Sequence, residues 1–521
     1  MSFKRPLIAR LLSPLLAFCA GALLVLSFAP FGLWPLAVVA LALFYQALVA
    51  EWSGDGGPWS GFGVGWVFGL GLFGFGIFWI RISLNEFGNM PAVAANTLML
   101  VLVAFLALYY GLAGWAIRRL RPRGGPPAWV GPLLLFPSVW VLLEWLRGWL
   151  FTGFPWLFAG NGQINPLPLA GVPLAGLAPV SGVHGLSLAV ALAAGLLWGA
   201  VRWRGRARGG ALVGIAVLLL ASALLGRIEW TAPAGPPIRA AVVQGNVEQS
   251  IKWDPNGLLP TLEVYLTLTR DNFDSDLIVW PETAIPDFLH EVQDALIEPL
   301  GESARDEGAE IVIGVPIMES REHYYNGLIS LGTASDRYYK RHLVPFGEFL
   351  PLKAQLRPLI DWFEVPMSDF SRGRAAQPLL QVGPHKVGVS ICYEDVFPDE
   401  VRQALPDAAY LINVSNDAWF GDSLAPHQHL EFARLRALEN GRPLVRATNS
   451  GISAIIDHRG RVVGAIPSFV RDSFSAEIQP RAGATPFSRW GSGPVLLLAA
   501  AMLAAALLLR RRYARKSVAA R

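Results

Sequence analysis

Three short strings place reactive side chains at the end of, or within, strand-like runs. Val279-Trp280-Pro281-Glu282-Thr283 halts an apolar run at a proline and presents a carboxylate. Tyr338-Tyr339-Lys340-Arg341-His342 sets a lysine within an otherwise strand-like run. Val387-Gly388-Val389-Ser390-Ile391-Cys392-Tyr393-Glu394-Asp395 ends a buried-strand pattern in a cysteine followed by carboxylates. A cysteine attacks carbonyl carbon as its thiolate and so needs a base. A carboxylate can be that base, and a lysine ammonium can hold the oxyanion that forms. Taken singly, each has a plainer reading: a strand-end acid, a surface lysine, a core thiol. The second cysteine, Cys19, lies in an apolar run, so no disulfide framework is expected. Cys392 is then either a small buried hydrophobe or a nucleophile, and its neighbours decide.

The elements that must position these groups run from residue 238 to about 478, one domain of ordinary size. Short β-branched runs recur at 239–247, 277–280, 310–315, 327–331, 386–391 and 410–414. Helical patterns fall between several of them, at 291–306 and at 427–439, where Leu430, Ala433, Arg434 and Ala437 follow three-to-four-residue spacing. Strands alternating with helices indicate an α/β or α+β sandwich.

The three strings, in this order and each some fifty to sixty residues from the next, resemble the nitrilase superfamily, whose motifs are a Glu after a Pro, a Lys in a strand and a Cys at a strand-to-helix elbow. The resemblance implies an α-β-β-α sandwich and a Glu282, Lys340, Cys392 triad. Glu282 would accept the thiol proton and Lys340 would stabilise the oxyanion, aided by the backbone N–H after Cys392. Glu348 and Glu394 resemble accessory carboxylates that orient Lys340 or the incoming nucleophile, and Tyr393 adjoins the nucleophile. The mechanism needs no cofactor and no metal. His427, His429 and Glu431 could suggest a metal site, but positions i and i+2 of a helix do not share a face.

Upstream the composition changes. The chain of 521 residues is 53% hydrophobic and 16% charged, too apolar for a soluble protein of its size. Residues 1–230 hold only five acidic residues, Glu51, Asp55, Glu86, Glu144 and Glu229, and all the others of the 39 lie between 231 and 477. Apolar runs near 8–28, 33–50, 60–80, 92–117, 127–147, 183–201 and 210–226 predict seven spans in a 1–230 membrane domain. An eighth, near 492–509, lies in a 490–512 segment with a basic tail after the 238–478 catalytic domain. Arginine and lysine clusters precede span one and follow spans four, six and eight. With eight spans they all fall on one side, so the positive-inside rule puts both termini in the cytoplasm and the nitrilase-like domain outside it. These clusters explain the basic balance without nucleic acid. Gly61, Gly65 and Gly69 form a small-residue ridge for helix packing. Glu144 and Arg147 near a span end are either functional or a structural pair, and the Pro/Gly-rich 148–182 segment suggests a re-entrant or interfacial element.

A nitrilase-like domain between spans seven and eight, with the Val243-Gln244-Gly245-Asn246 string and the 411–420 string Leu-Ile-Asn-Val-Ser-Asn-Asp-Ala-Trp-Phe, is similar to the apolipoprotein N-acyltransferase family. That resemblance covers nearly the whole chain. It implies a monomeric enzyme of the bacterial inner membrane, its catalytic domain in the periplasm. The enzyme would move an acyl chain from the sn-1 position of a phospholipid, phosphatidylethanolamine foremost, through a Cys392 thioester to the α-amine of a diacylated apolipoprotein. The apolar stretch 346–363 suggests a membrane-dipping arm, or else packs on the core. Trp253, Phe349, Trp362 and Trp419 are candidate substrate-binding residues, although aromatics serve equally in a core. A membrane-tethered amidase is the competing enzyme reading. A transporter would need ionisable residues in mid-span, which the chain lacks.

Overall fold

The computed structural model describes residues 7–50, 57–121, 127–165, 174–252, 256–349 and 369–519. The chain divides into two compact units: Met1–Arg81 with Val93–Ile228 and Trp490–Arg521, and Ile82–Ala92 with Glu229–Arg489.

The first unit is helical. Its elements are α1 (Leu7–Val25), α2 (Pro35–Ala50), α3 (Pro58–Gly76), α4 (Ala92–Leu120), α5 (Phe136–Arg147), α6 (Ala178–Arg202), α7 (Gly205–Leu225) and a C-terminal helix, Gly493–Ala519. Among the described residues α3, α4, α6, α7 and the C-terminal helix are long and apolar enough to cross a bilayer, and α1 and α2 are shorter apolar helices. The outward-facing leucines and valines of α7, Leu212, Val213, Val217, Leu220 and Leu224, are exposed. An apolar band of that kind is stable only against hydrocarbon. The glycine ridge of α3 works by contact with α4. A Cβ on Gly65 would strike the Tyr110 carbonyl, and one on Gly61 would strike that of Gly114.

Glu144 and Arg147 are both buried, and both hold the irregular chain that follows α5. Glu144 Oε1 accepts the Ala159 N–H at 2.9 Å. Arg147 donates to the carbonyls of Phe154 (2.7 Å) and Trp156 (2.5 Å), and its guanidinium lies over Phe73 and Phe158. Carbonyls outside regular helix at membrane depth need such donors, so the pair serves structure.

The second unit has two six-stranded sheets. One runs in the order β13-β2-β3-β4-β5-β6: β2 (Ile238–Gln244), β3 (Leu277–Val279), β4 (Glu310–Ser320), β5 (His323–Leu331), β6 (Asp336–Tyr339) and β13 (Asp472–Ile478). The other runs β12-β11-β10-β9-β8-β7: β7 (Leu380–Val382), β8 (His385–Ile391), β9 (Leu411–Ser415), β10 (Leu444–Thr448), β11 (Ser453–Ile456) and β12 (Val462–Ile466). A small β1 (Thr231–Pro233) pairs with β14 (Arg481–Gly483). The central strands are parallel, β2 to β3 to β4 and β8 to β9 to β10. Being covered on both faces, they read as unbroken apolar runs rather than alternating ones. Ala240, Val242, Val279 and Val312 meet Val389, Ile391, Ile412 and Val445 between the sheets. Helices α8 (Leu258–Arg270) and α9 (Glu298–Glu307) cover the outer face of the first sheet with Tyr265, Leu300 and Ala304. Helix α10 (Ala425–Asn440) covers the second with Ala433 and Ala437. The layers are therefore α-β-β-α. Glu282, Lys340 and Cys392 all lie just past strand C-termini, where sandwiched α/β sheets present their ligand sites.

Candidate active site

Glu282 follows β3 after Pro281 ends the ladder. Its backbone lies so close to β4 that a Cβ on Gly314 would strike the Pro281 carbonyl, so glycine there is a steric requirement. The side chain is 8% exposed and takes three donors. Oε1 accepts Asn326 Nδ2 at 2.7 Å and Lys340 Nζ at 3.1 Å. Oε2 accepts the Asn416 N–H at 2.9 Å.

The strand-like run around Lys340 ends one residue earlier than its sequence suggests. β6 stops at Tyr339, and Lys340 keeps one further bond, N–H to the Asn326 carbonyl at 2.9 Å. Its ammonium bridges Glu282 and Glu348, the latter at 2.8 Å. Burial alone would lower the Lys340 pKa, but Glu282 and Glu348 outweigh it and hold the group well above its ordinary value. The second oxygen of Glu348 accepts the Val344 N–H at 2.9 Å, which fixes the turn after Lys340.

Cys392 opens a 3₁₀ turn, Cys392–Val396, at the end of β8. Its φ of +51° is left-handed, a strained conformation for a residue with a side chain. The turn is tied down by Glu394, which is fully buried. Glu394 Oε2 accepts the Ile391 N–H (2.7 Å) and the Tyr338 hydroxyl (3.0 Å), and Oε1 accepts the N–H groups of Arg341 (2.6 Å) and His342 (3.1 Å). One carboxylate thus joins the chain before Cys392 to the chain after Lys340. Burial pushes its carboxyl up, while Arg341 and the backbone donors pull it back. Burial, and then the Glu282 charge, raise the Cys392 thiol well above its ordinary value against the pull of Lys340. The resting sulfur is a thiol, so any nucleophilic use of it requires that its proton be removed.

Behind the turn lies a group that the sequence did not announce. His429 of α10 bonds Asp417 Oδ1 through Nδ1 at 2.9 Å and Asp395 Oδ1 through Nε2 at 3.0 Å. Arg446 of β10 meets Asp417 at 2.9 Å and Asp395 at 3.4 Å. All four are essentially without solvent exposure. Burial and Arg446 would discharge the imidazole, but the two aspartates raise it to about 9. His429 is thus spoken for within the protein, and among the described residues no group of three or more His, Cys, Asp or Glu side chains is placed to hold a metal ion.

The other candidates separate. Tyr393 is buried with its ring edge-on to Phe397 at 5.1 Å. Trp419 packs edge-on to Phe87, and its carbonyl accepts the Ser83 hydroxyl at 2.6 Å. Phe349 is half-buried, its carbonyl accepting the Phe346 N–H at 2.8 Å. Trp253, Trp362 and the 350–363 part of the expected arm lie outside the described residues. Trp280 is core, stacked on Tyr265. Asn326 carried no signal, since nothing around it marks a bridging amide. Asn416 and Asp417 stand in the 411–420 string, though their partners could not be read from it.

A family model described as the apolipoprotein N-acyltransferase N-terminal domain matches residues 20–196, and a carbon-nitrogen hydrolase model matches residues 239–487. Among curated proteins, the chain is 45% identical over 483 residues to the apolipoprotein N-acyltransferase of Methylococcus capsulatus, covering 92% of this chain and 93% of that one. It is 42% identical over 490 residues to the same enzyme of Pseudomonas syringae pv. tomato, covering 93% and 94%. Among solved structures it is similar to a carbon-nitrogen hydrolase from Helicobacter pylori, at 16% identity and a TM-score of 0.37, covering 47% of this chain and 89% of that one.

Proposed function

Because the chain belongs to the apolipoprotein N-acyltransferase family, and so is a membrane-embedded acyltransferase of lipoprotein maturation, we propose that it works by a two-stage transfer through Cys392. In the first stage the Cys392 proton passes to Glu282 as sulfur attacks the sn-1 ester carbonyl of a phospholipid, phosphatidylethanolamine by preference. A C–S bond forms, and the tetrahedral oxyanion is held by Lys340 and the N–H that follows Cys392. Collapse breaks the ester C–O bond, Glu282 returns its proton to the leaving oxygen, and lysophospholipid departs. In the second stage the free α-amine of a diacylglyceryl-cysteine attacks the thioester carbonyl. Glu282 accepts a proton from nitrogen, the amide C–N bond forms, the C–S bond breaks, and sulfur recovers its proton. Both termini are cytoplasmic and the catalytic unit periplasmic.

The observation that carries this reading is the Lys340 ammonium held between Glu282 and Glu348 beside a buried thiol. That arrangement supplies base, nucleophile and charge sink in one water-poor place. A membrane location suits both substrates, because lifting an acyl chain into water costs roughly 0.8 kcal/mol per CH₂.

The test is intact-mass analysis after incubation with phospholipid alone. The wild-type chain should gain one acyl mass on the peptide containing Cys392, and Cys392→Ser should gain none. An acyl adduct elsewhere, or on the Ser variant alike, refutes the nucleophile. Adding diacylated lipopeptide should move the acyl group to its amine; release of free fatty acid alone would favour the amidase reading.

A further inference from the structure

Resting on that reading, we propose that His429 is a positioning residue whose imidazolium locks the nucleophile and the base into one register. Two turns matter. Asp395 belongs to the Cys392–Val396 turn. Asp417 begins the turn after β9, next to Asn416, whose N–H holds Glu282 Oε2. One turn fixes where the sulfur stands and the other fixes where the carboxylate stands. The described backbone joins them only through the β8–β9 pairing. His429 closes the gap. Nε2 reaches both Asp395 Oδ1 (3.0 Å) and the Cys392 carbonyl (3.2 Å), and Nδ1 reaches Asp417 Oδ1 (2.9 Å). Only a doubly protonated ring can donate at both nitrogens, so the bridge exists as a bridge only in the charged form.

The rest of the cluster fits this role. Arg446 bonds the outer oxygens of the same two aspartates and Asn413 Oδ1. Asn413 in turn donates to Ser390 Oγ of β8 at 3.0 Å, and the Ser415 hydroxyl donates to Asp417 at 2.7 Å. Arg436 holds the Asp395 carbonyl at 3.1 Å. His429 and Arg446 face Asp395 and Asp417, and Arg436 pairs with buried Glu439 at 2.7 Å, so the cluster is neutral and its cross-links cost no uncompensated buried charge. An apolar filling would support the same fold. It would not hold the Cys392 carbonyl, nor fix a residue at φ +51° against relaxation toward the ordinary strand region.

The experiment uses the full-length protein in detergent with His429→Gln, which keeps the volume and one donor but loses the charge and the second donor. Three readouts are followed: melting temperature, the kcat and KM of Cys392 acylation by phospholipid alone, and the pH profile of Cys392 alkylation by iodoacetamide. The expected result is a folded variant with an unchanged KM, a kcat about 100-fold lower, the scale set by an ångström of misplacement, and an alkylation profile moved down by about one pH unit as the Glu282 charge, which raises the thiol, loses its place beside it. A folded variant that acylates at the wild-type rate with an unmoved profile overturns the inference. So does one whose only change is a lower melting temperature. Should His429→Gln fail to fold, Asp395→Asn, which removes one arm of the bridge, must show the same split between kcat and KM. If the wild type itself never carries acyl on Cys392, the proposed function fails, and the alkylation profile still judges His429.

Discussion

Replacing Glu394 by glutamine changes one atom of a side chain that four donors share, and the arrangement of those donors sets the size of the effect. An amide nitrogen on the Oε1 side would face the N–H groups of Arg341 and His342, and neither can turn around. On the Oε2 side it would face the Ile391 N–H and the Tyr338 hydroxyl. The hydroxyl can rotate and accept, so the glutamine adopts the second orientation and orphans one N–H, that of Ile391. A hydrogen bond to a charged group contributes about 1.5–3 kcal/mol. The loss falls where β8 enters the Cys392 turn, so about 10- to 150-fold should vanish from the acylation rate.

Tyr338→Phe removes a single donor and leaves the carboxylate its three N–H partners. It should cost about 1.5 kcal/mol, the lower end for a bond to a charged group, or roughly tenfold. The double variant is the decisive measurement. With phenylalanine at 338 the amide has no hydroxyl to turn, so the combined loss should exceed the product of the single losses by about tenfold, a coupling of ~1.4 kcal/mol. The assay is the rate of acyl adduct formation on Cys392 from phospholipid, by intact mass, corrected for the folded fraction. Strictly multiplicative losses, or a glutamine variant as fast as wild type, would refute the view that Glu394 acts as a shared acceptor between the two chains.

Two further outcomes follow from packing and charge. The His429 pKa, raised from 6.5 to about 9, contributes stability that is complete below the unfolded value and is lost as pH rises through about 9. The span corresponds to about 3 kcal/mol, so melting temperature should fall across that window in wild type and fall less steeply in His429→Gln; parallel curves would contradict the assignment. Gly65→Ala would drive a methyl into the Tyr110 carbonyl, whereas a Cβ on Gly63 meets nothing within 4 Å. The first should destabilise the helical unit by about 1–3 kcal/mol and the second should leave it nearly unchanged, measured as thermal unfolding in detergent; equal effects would dismiss the ridge as a packing device.

How much was legible depended on where burial falls. Strands β2, β3, β8 and β9 are covered on both faces and show as plain apolar runs, and Glu282 and Cys392 stand out because each follows the end of such a run, whereas Lys340 follows the polar, partly exposed β6. β10 did not show, because Arg446 sits in the middle of Leu444–Thr448. A buried arginine imitates a loop until its two aspartates are known, and those come from segments far off in sequence. β13, Asp472–Ile478, is a partly exposed edge strand whose polar residues hide its pairing with β2. The 323–326 part of β5 was missed for a related reason. Asn326 is polar because it bridges Glu282 and Glu348, and a polar residue at a strand's start lowers the apparent run. The i, i+2 spacing of His427 and His429 rightly separates their faces, but which face meets carboxylates depends on how α10 lies on its sheet. Glu144 and Arg147 were readable as a pair by spacing. Their purpose became clear only once the 154–159 chain was seen to fold back onto them.

The charges around the thiol bear on why such a site can stay buried. Glu282, Glu348 and Lys340 together carry one net negative charge while sulfur keeps its proton. In the proposed mechanism, moving that proton to Glu282 leaves the net charge as it was and shifts the negative centre to sulfur. Attack moves it again, to the oxyanion, still within reach of Lys340. At no step is a charge created in the interior, so the several-kcal/mol penalty for a new buried ion does not enter the barrier. Free thiolate without that proton acceptor would incur it, consistent with a thiol held well above its ordinary pKa at rest. The neutral His429 cluster belongs to the same arrangement. It contributes rigid geometry without adding to the local charge, so the one mobile negative charge is set by the reacting atoms and Lys340, and the donors that meet it need little reorganisation.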